Sequence, residues 1–458
     1  MSALLFHLKI YNIEESDLAL DMLMEWLGNF SEAGAQLLLQ PFLYIAILLI
    51  ALQYRRQVLL ERKLFHVRLH NWLQQTWRTL LGGIVAGLAV SGVSLFFGMT
   101  LSREGIMLIW AASILLMLLN VRYLCLAYSV GLLGLIQFIV NLLPELALSS
   151  EGGLWITAVK ELNIPALLAL AGMLHLAEAM LIRWQGASFA GPLFFEGKRG
   201  RPIGGYQMQG LWPIPLFLLI PAQTAGSVLP WSPIFGGDAW QGGFALIGLP
   251  VVIGFSEATR SMLPQVKVRV TSSRLLSYGL LVIGMALVSH WWGPFTIVAA
   301  VLTFALHEVL VWYSRAEENN RSPYFVHPRQ GLKVLAVLPG SPATELGIVP
   351  GETIYRVNGV TIGTKEQLHE ALRINSAFCK LEILNLAGES KFAQRAIYAG
   401  EHHQLGVILA PDKDAPVVVR PGAPSLLQLL SPKRSTEERS EQAPRHRTSK
   451  GEQEPAQL

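Results

Sequence analysis

His175 and Glu178 stand three residues apart in an apolar stretch, so a helix through them places both on one face. An imidazole and a carboxylate so placed can relay a proton or share a metal ion, and ionisable groups inside a membrane point to function by default. His290, His307, Glu308 and Glu257 fall near the ends of other apolar stretches. The plainer account is that His175 and Glu178 bond each other or neighbouring helices. Neither an internal repeat nor a run of carboxylates supports transport.

Hydrolase patterns fail one by one. His307-Glu308 opens a zinc-hydrolase motif, but the fifth position is Val311, so two histidine ligands one turn apart are missing. Glu317-Glu318 precedes Arg321 by two residues where the prenyl-protease pattern needs three, and Phe235 stands where Gly236-Gly237-Asp238 needs a preceding glycine. Ser188 sits between Gly186 and Gly191 in a basic loop with no partner histidine. Cys125 lies in an apolar run and Cys379 in a later strand, segments not expected to meet, which leaves no disulfide and no cysteine-built zinc site. The reading is of a non-enzyme with no metal and no cofactor.

The elements that must position these residues follow from composition. With 52% hydrophobic and 15% charged residues, most of the chain should meet lipid. Nine apolar runs are each read as a membrane helix, starting near Ala33, Leu80, Gly105, Tyr123, Ile164, Leu211, Gly243, Leu275 and Pro294 and ending near Trp312. The seventh, interrupted by Pro250, is short enough to be re-entrant, and Pro41, Pro165, Pro213, Pro215 and Pro221 read as helix kinks. Glu14, Glu15, Asp17, Asp21, Glu25 and Glu32 against Lys9 lack the order of a cleavable signal peptide. Alternating the runs collects Arg55, Arg56, Arg62, Lys63, Arg68, Arg78, Arg122, Arg183, Lys198, Arg199, Arg201, Arg260, Lys267, Arg269 and Arg274 on one side. Lys9, Arg103 and Lys160 fall on the other, which predicts an N-terminus outside and a C-terminus in the cytoplasm. The net charge of +4 is explained by these loops, so nucleic acid is not expected as a partner.

The expected organisation is an N-terminal extracytoplasmic segment over 1–32, an all-α polytopic bundle over 33–313, a polar hinge from Ser314 to Arg321, a small α+β domain over 323–411 and a disordered tail over 412–458. In the small domain Leu332, Val334 and Ala336 alternate as a strand, Pro339-Gly340 turns the chain, and Ser341 caps a short helix ended by Gly347. Pro350-Gly351 makes a second turn, and Asn358-Gly359 is a strong hairpin signal. Thr364 and Gln367 form a capping box on a helix whose apolar face carries Leu368, Ala371 and Leu372. Strands near Phe378 to Leu386 and Phe392 to Tyr398 complete a sheet.

The run Gly340, Ser341, Pro342, Ala343, Gly347, Gly351, Val357, Asn358 and Gly359 resembles the PDZ family in its bacterial arrangement. That resemblance implies strand addition of a peptide or protein C-terminus, with Leu332, Val334, Leu368 and Leu372 as candidate groove residues. For the carboxylate loop, Leu405-Gly406-Val407 and Pro323 to Phe325 both stay open, as does a plain edge strand. A polytopic region followed by one PDZ domain, with the stretch Phe392 to Val407 and its Gly400 to His403 turn, resembles the MinJ family of cell-division topological determinants from rod-shaped Gram-positive bacteria. The resemblance implies an adaptor between the polar scaffold DivIVA and the membrane ATPase MinD, at septum and poles. The alternative is a protease-associated or transport-like membrane protein with a regulatory PDZ domain.

Overall fold

The computed structural model describes residues 24–143, 150–198, 200–221, 231, 233–236, 243–375, 377–396, 398 and 405–412. Residues 1–23 of the expected N-terminal segment, Gly237-Asp238, the Gly400 to His403 turn and the tail from 413 lie outside them.

A helix over 24–39 (α1) leads into α2 (Pro41–Phe65), with Pro41 at the first helical turn, where its missing N–H costs nothing. Then come α3 (Trp72–Phe97), α4 (Arg103–Leu119), α5 (Leu126–Leu142), α6 (Ser150–Lys160) and α7 (Ile164–Gln185). Strands β1 (Ala190–Glu196), β2 (Pro202–Pro221) and β3 (Phe244–Thr259) follow, and α8 (Pro264–Trp291) and α9 (Phe295–Asn320) close the region. Among the described residues five helices are long and apolar enough to cross a membrane: α2, α3, the α7 run Ile164–Phe189, α8 and α9. Helix α7 is the central one, with 72% of its apolar stretch inside the protein against 17–39% for the others.

The runs beginning at Leu211 and Gly243 are strands, which corrects two of the nine expected helices. From Tyr206 to Pro221, β2 pairs antiparallel with β3 without a break, from Thr259 back to Phe244. At roughly 3.3 Å per residue this ribbon is about 50 Å of chain, longer than a bilayer's hydrocarbon depth of roughly 30 Å. Strand β1 pairs only with the Pro202–Met208 end, so beyond it one edge of β2 faces α3 and its backbone must find other partners. At Pro213 and Pro215 the edge has no N–H to satisfy. The Phe217 N–H donates to Ser91 Oγ at 2.8 Å, and the Leu219 carbonyl accepts from Leu101 N–H at 3.0 Å. A methyl on Gly83 would overlap the Pro213 carbonyl, and one on Gly87 would sit 2.5 Å from the Pro215 carbonyl, so glycine lets the helix lie directly on the strand. Those prolines are therefore the finish of a buried sheet edge and do not kink helices.

The expected hinge is helical from Ser314 to Asn320, with Arg321 as the extended C-cap, and charges clasp this end of α9. Glu317 pairs with Arg274 at 2.8 Å and with Arg321 at 2.7 Å. Ser314 Oγ accepts from Lys267 Nζ at 2.8 Å and donates to Glu257.

The C-terminal domain comprises β4 (Leu332–Val337), α10 (Pro342–Glu345), β5 (Thr353–Val357), β6 (Val360–Thr361), α11 (Lys365–Arg373), β7 (Phe378–Leu384), β8 (Ser390–Ala396) and β9 (Val407–Leu409). The sheet order is β8-β7-β5-β4-β9, with β6 on β5, and the pairs are antiparallel. Asn358 and Gly359 both take positive φ, 50° and 88°, as a tight hairpin requires. The capping box of Thr364 and Gln367 is formed. Ser341 is not the side-chain cap expected of it: its hydroxyl donates to the Leu338 carbonyl at 2.7 Å.

Candidate functional site

Leu332 and Val334 are core residues of β4, 1% and 0% exposed, and Leu368 and Leu372 pack into the same cluster from α11. Leu405 joins that cluster, so all five are core side chains of the domain, and Val407 and Leu409 of β9 pack against them. Asn358 ties the parts together, donating from Nδ2 to the Ala371 carbonyl and accepting at Oδ1 from Lys380 N–H, both at 2.9 Å. Gly406 has φ +79°, and a methyl there would collide with Ser341, so the turn into β9 is pressed against the start of α10.

Strand β9 ends the sheet order among the described residues. Its register with β4 determines which backbone groups face outward. The Leu338 N–H donates to the Gly406 carbonyl and the Ala410 N–H to the Lys333 carbonyl, both at 2.9 Å. Positions 406, 408 and 410 therefore face β4, and by the alternation of an antiparallel ladder the N–H and C=O of Val407 and Leu409 face the other edge. Their side chains pack on the domain core, while Ile408, 8% exposed, points the opposite way.

Ile408 enters a second cluster with Tyr206, Phe325, Leu335 and Ala336, against which Phe65, Phe194 and Leu263 pack. This seam joins the domain to the Pro202–Met208 end of the β1–β2–β3 sheet. Tyr206 Oη donates to the Leu335 carbonyl, Gly204 N–H to the Phe325 carbonyl at 3.0 Å, and Tyr324 N–H to the Arg260 carbonyl at 2.8 Å. The segment Pro323 to Phe325 thus has its backbone engaged with the sheet, and Phe325 is fully buried. His327 Nδ1 accepts the Lys333 N–H at 3.0 Å, and burial pulls its imidazole pKa below the ordinary value, with Asp412 opposing. Burial pushes the Cys379 thiol up to about 11, so it is an inert core group.

Of the polar residues singled out in the apolar runs, His175 and His307 come together with ring centroids 5.2 Å apart. Glu308 instead pairs with Arg122 at 2.7 Å and accepts from Tyr128 Oη at 2.9 Å. Glu257 pairs with the buried Lys267 at 3.2 Å, and His290 stacks edge-on with Phe235. Cys125, which sequence reasoning set aside, lies beside both histidines. Its partners are 50 and 182 residues away, so no local spacing signals them.

A PDZ-domain family profile matches residues 333–381. The cell division topological determinant MinJ of Bacillus subtilis is 31% identical over 404 residues, 85% of this chain and 97% of that protein. A probable cell division topological determinant MinJ of Lacticaseibacillus paracasei is 25% identical over 289 residues, 60% of this chain and 72% of that protein. An identity of this level over 404 residues has to run through both the apolar helical region and the PDZ domain, and the chain belongs to the MinJ family of cell-division topological determinants.

Proposed function

We propose that the chain is a non-enzymatic membrane adaptor whose PDZ domain, held on the cytoplasmic face, recruits division regulators by accepting a peptide or protein C-terminus as an added strand. The observation that carries this reading is the outward-facing backbone of Val407 and Leu409 on the terminal strand β9, whose side chains pack on the core that holds Leu368, Leu372 and Leu405. Leu405-Gly406-Val407 is then the carboxylate loop, since the backbone of Tyr324 and Phe325 is engaged in the seam.

The multi-pass arrangement with the PDZ domain inside is supported by charge. Arg62, Lys63, Arg183, Arg260, Lys267 and Arg321 lie at the element ends nearest the PDZ domain, and Arg103 and Lys160 lie at opposite ends. Counting the β2–β3 ribbon as one entry and return leaves the sides of the remaining helices as the charge pattern predicts. By family resemblance the partners are DivIVA and MinD, and the sites are septum and poles. A protease-associated or transport-like role rests only on the polar cluster around His175.

The test is a C-terminal fluorescent fusion of the full chain at native level, compared with Val407→Pro, which deletes one outward N–H and none facing β4. Septal and polar enrichment that becomes uniform in the variant is expected. Uniform fluorescence of the wild type, with normal septum placement in a deletion strain, sinks the division role; unchanged enrichment of the variant sinks strand addition.

A further inference from the structure

Glycines let two pairs of helices pack closely. Gly131 and Gly134 of α5 lie against Ala300 of α9, and Gly172 of α7 lies against Gly279 of α8. Cys125, the residue preceding α5, stands together with His175 of α7 and His307 of α9. Cys125 Sγ is 3.1 Å from His175 Nε2 and 3.8 Å from His307 Nε2, and the three groups offer donor atoms all within 4.8 Å of one another.

The outer nitrogens determine what the inner ones present. His175 Nδ1 lies 2.6 Å from the Ala171 carbonyl, which can only accept, so Nδ1 carries the proton. His307 Nδ1 lies 2.8 Å from Tyr128 Oη, whose own hydrogen goes to Glu308 Oε1, so this Nδ1 is also the donor. Glu308 is in turn fixed by Arg122. In the neutral ring each Nε2 is then a bare lone pair aimed at the same sulfur. One thiol hydrogen can serve only one of them, whereas a metal ion serves both lone pairs and the thiolate. Each histidine also has the outer-shell acceptor that ligating imidazoles use to fix tautomer and orientation.

We propose that Cys125, His175 and His307 bind a single Zn2+ ion between α5, α7 and α9, a site independent of the PDZ groove. Tetrahedral Zn2+ with ligand bonds of roughly 2.3 Å to sulfur and 2.0–2.1 Å to nitrogen needs S···N separations of about 3.5 Å, and 3.1 and 3.8 Å bracket that value. Binding deprotonates the Cys125 thiol and releases one proton to solvent. Three protein ligands leave a fourth position for water or a small ligand.

Full-length protein in nanodiscs is titrated with Co2+ as a probe and with Zn2+. The expected result is about one chelator-resistant metal ion per chain and a thiolate-to-cobalt charge-transfer band. The band disappears in Cys125→Ser and His307→Gln and remains in Cys379→Ser. A wild type with neither band nor retained metal overturns the proposal, as does a band that survives Cys125→Ser. If the variants do not accumulate, thiol labelling of the wild type decides. Zn2+ should slow maleimide labelling of Cys125 at least about tenfold, reversed by a membrane-permeant chelator, and equal rates with and without Zn2+ overturn the site.

Discussion

The hydroxyl of Tyr206, in the strand that runs up through the helical bundle, donates to the main-chain carbonyl of Leu335 in the first strand of the PDZ domain. Both residues are buried, 4% and 0% exposed, so the bond fixes the domain to the bundle in one orientation. Tyr206→Phe keeps the ring against Phe325, 5.3 Å between centroids, but leaves the carbonyl without its donor. A buried unsatisfied acceptor costs about 1–3 kcal/mol. Hydrogen exchange in β4 and β9, and proteolysis between 321 and 331, should rise while β7 and β8 stay protected.

Two glycines of one helix should respond oppositely to alanine. Gly83 lies on the Pro213 carbonyl, whereas a methyl at Gly92 would meet nothing within 4 Å. Gly83→Ala must push α3 off the ribbon and should lower thermal stability in detergent by several degrees, a cost of about 1–3 kcal/mol. Gly92→Ala should leave it unchanged or raise it, since alanine gains roughly 0.5–1 kcal/mol over glycine inside a helix.

Lys267 is fully buried between Glu257 at 3.2 Å and Glu318 at 3.7 Å. Removing the cation in Lys267→Ala strands two carboxylates, at a cost of about 3–5 kcal/mol. The thermal transition of the purified protein should fall sharply, and adding Glu318→Gln should recover part of the loss.

His327 gives the seam a pH dependence of known sign. Its folded pKa lies below the ordinary 6.5 because burial disfavours the imidazolium, and protonating Nδ1 also breaks the bond from Lys333 N–H. The unfolded chain therefore takes up the proton first. The contribution to stability is complete above the ordinary value, falls as pH drops through it, and levels off below the folded pKa. Hydrogen exchange of β4 should be faster at about pH 5.5 than at pH 8, and His327→Gln should flatten the difference.

The PDZ domain was legible because its signals are local: the Asn358-Gly359 turn and the Thr364–Gln367 box each specify backbone geometry within four residues. The β2–β3 ribbon was not, because both of its faces are largely buried and no polar alternation separates a strand from an apolar helix. Pro213 and Pro215 at alternate positions, and Pro250 paired opposite Pro215, were the available hint. Prolines two apart share one edge of a strand, where they remove donors from a side that a helix will cover. The Cys125 cluster had no local signal, since only the crossing of α5, α7 and α9 assembles it.

Strand β9 is held from three directions: by the β4 ladder on one edge, by the domain core beneath Val407 and Leu409, and by the seam around Ile408. The remaining edge is already rigid before any partner arrives. In the strand addition proposed above, an incoming peptide would have only its own chain to order, because the receiving strand has little conformational entropy left to lose. The affinity of such a groove is set in part by residues as distant as Tyr206 and Phe325, and loosening the seam should weaken the groove chiefly by speeding dissociation.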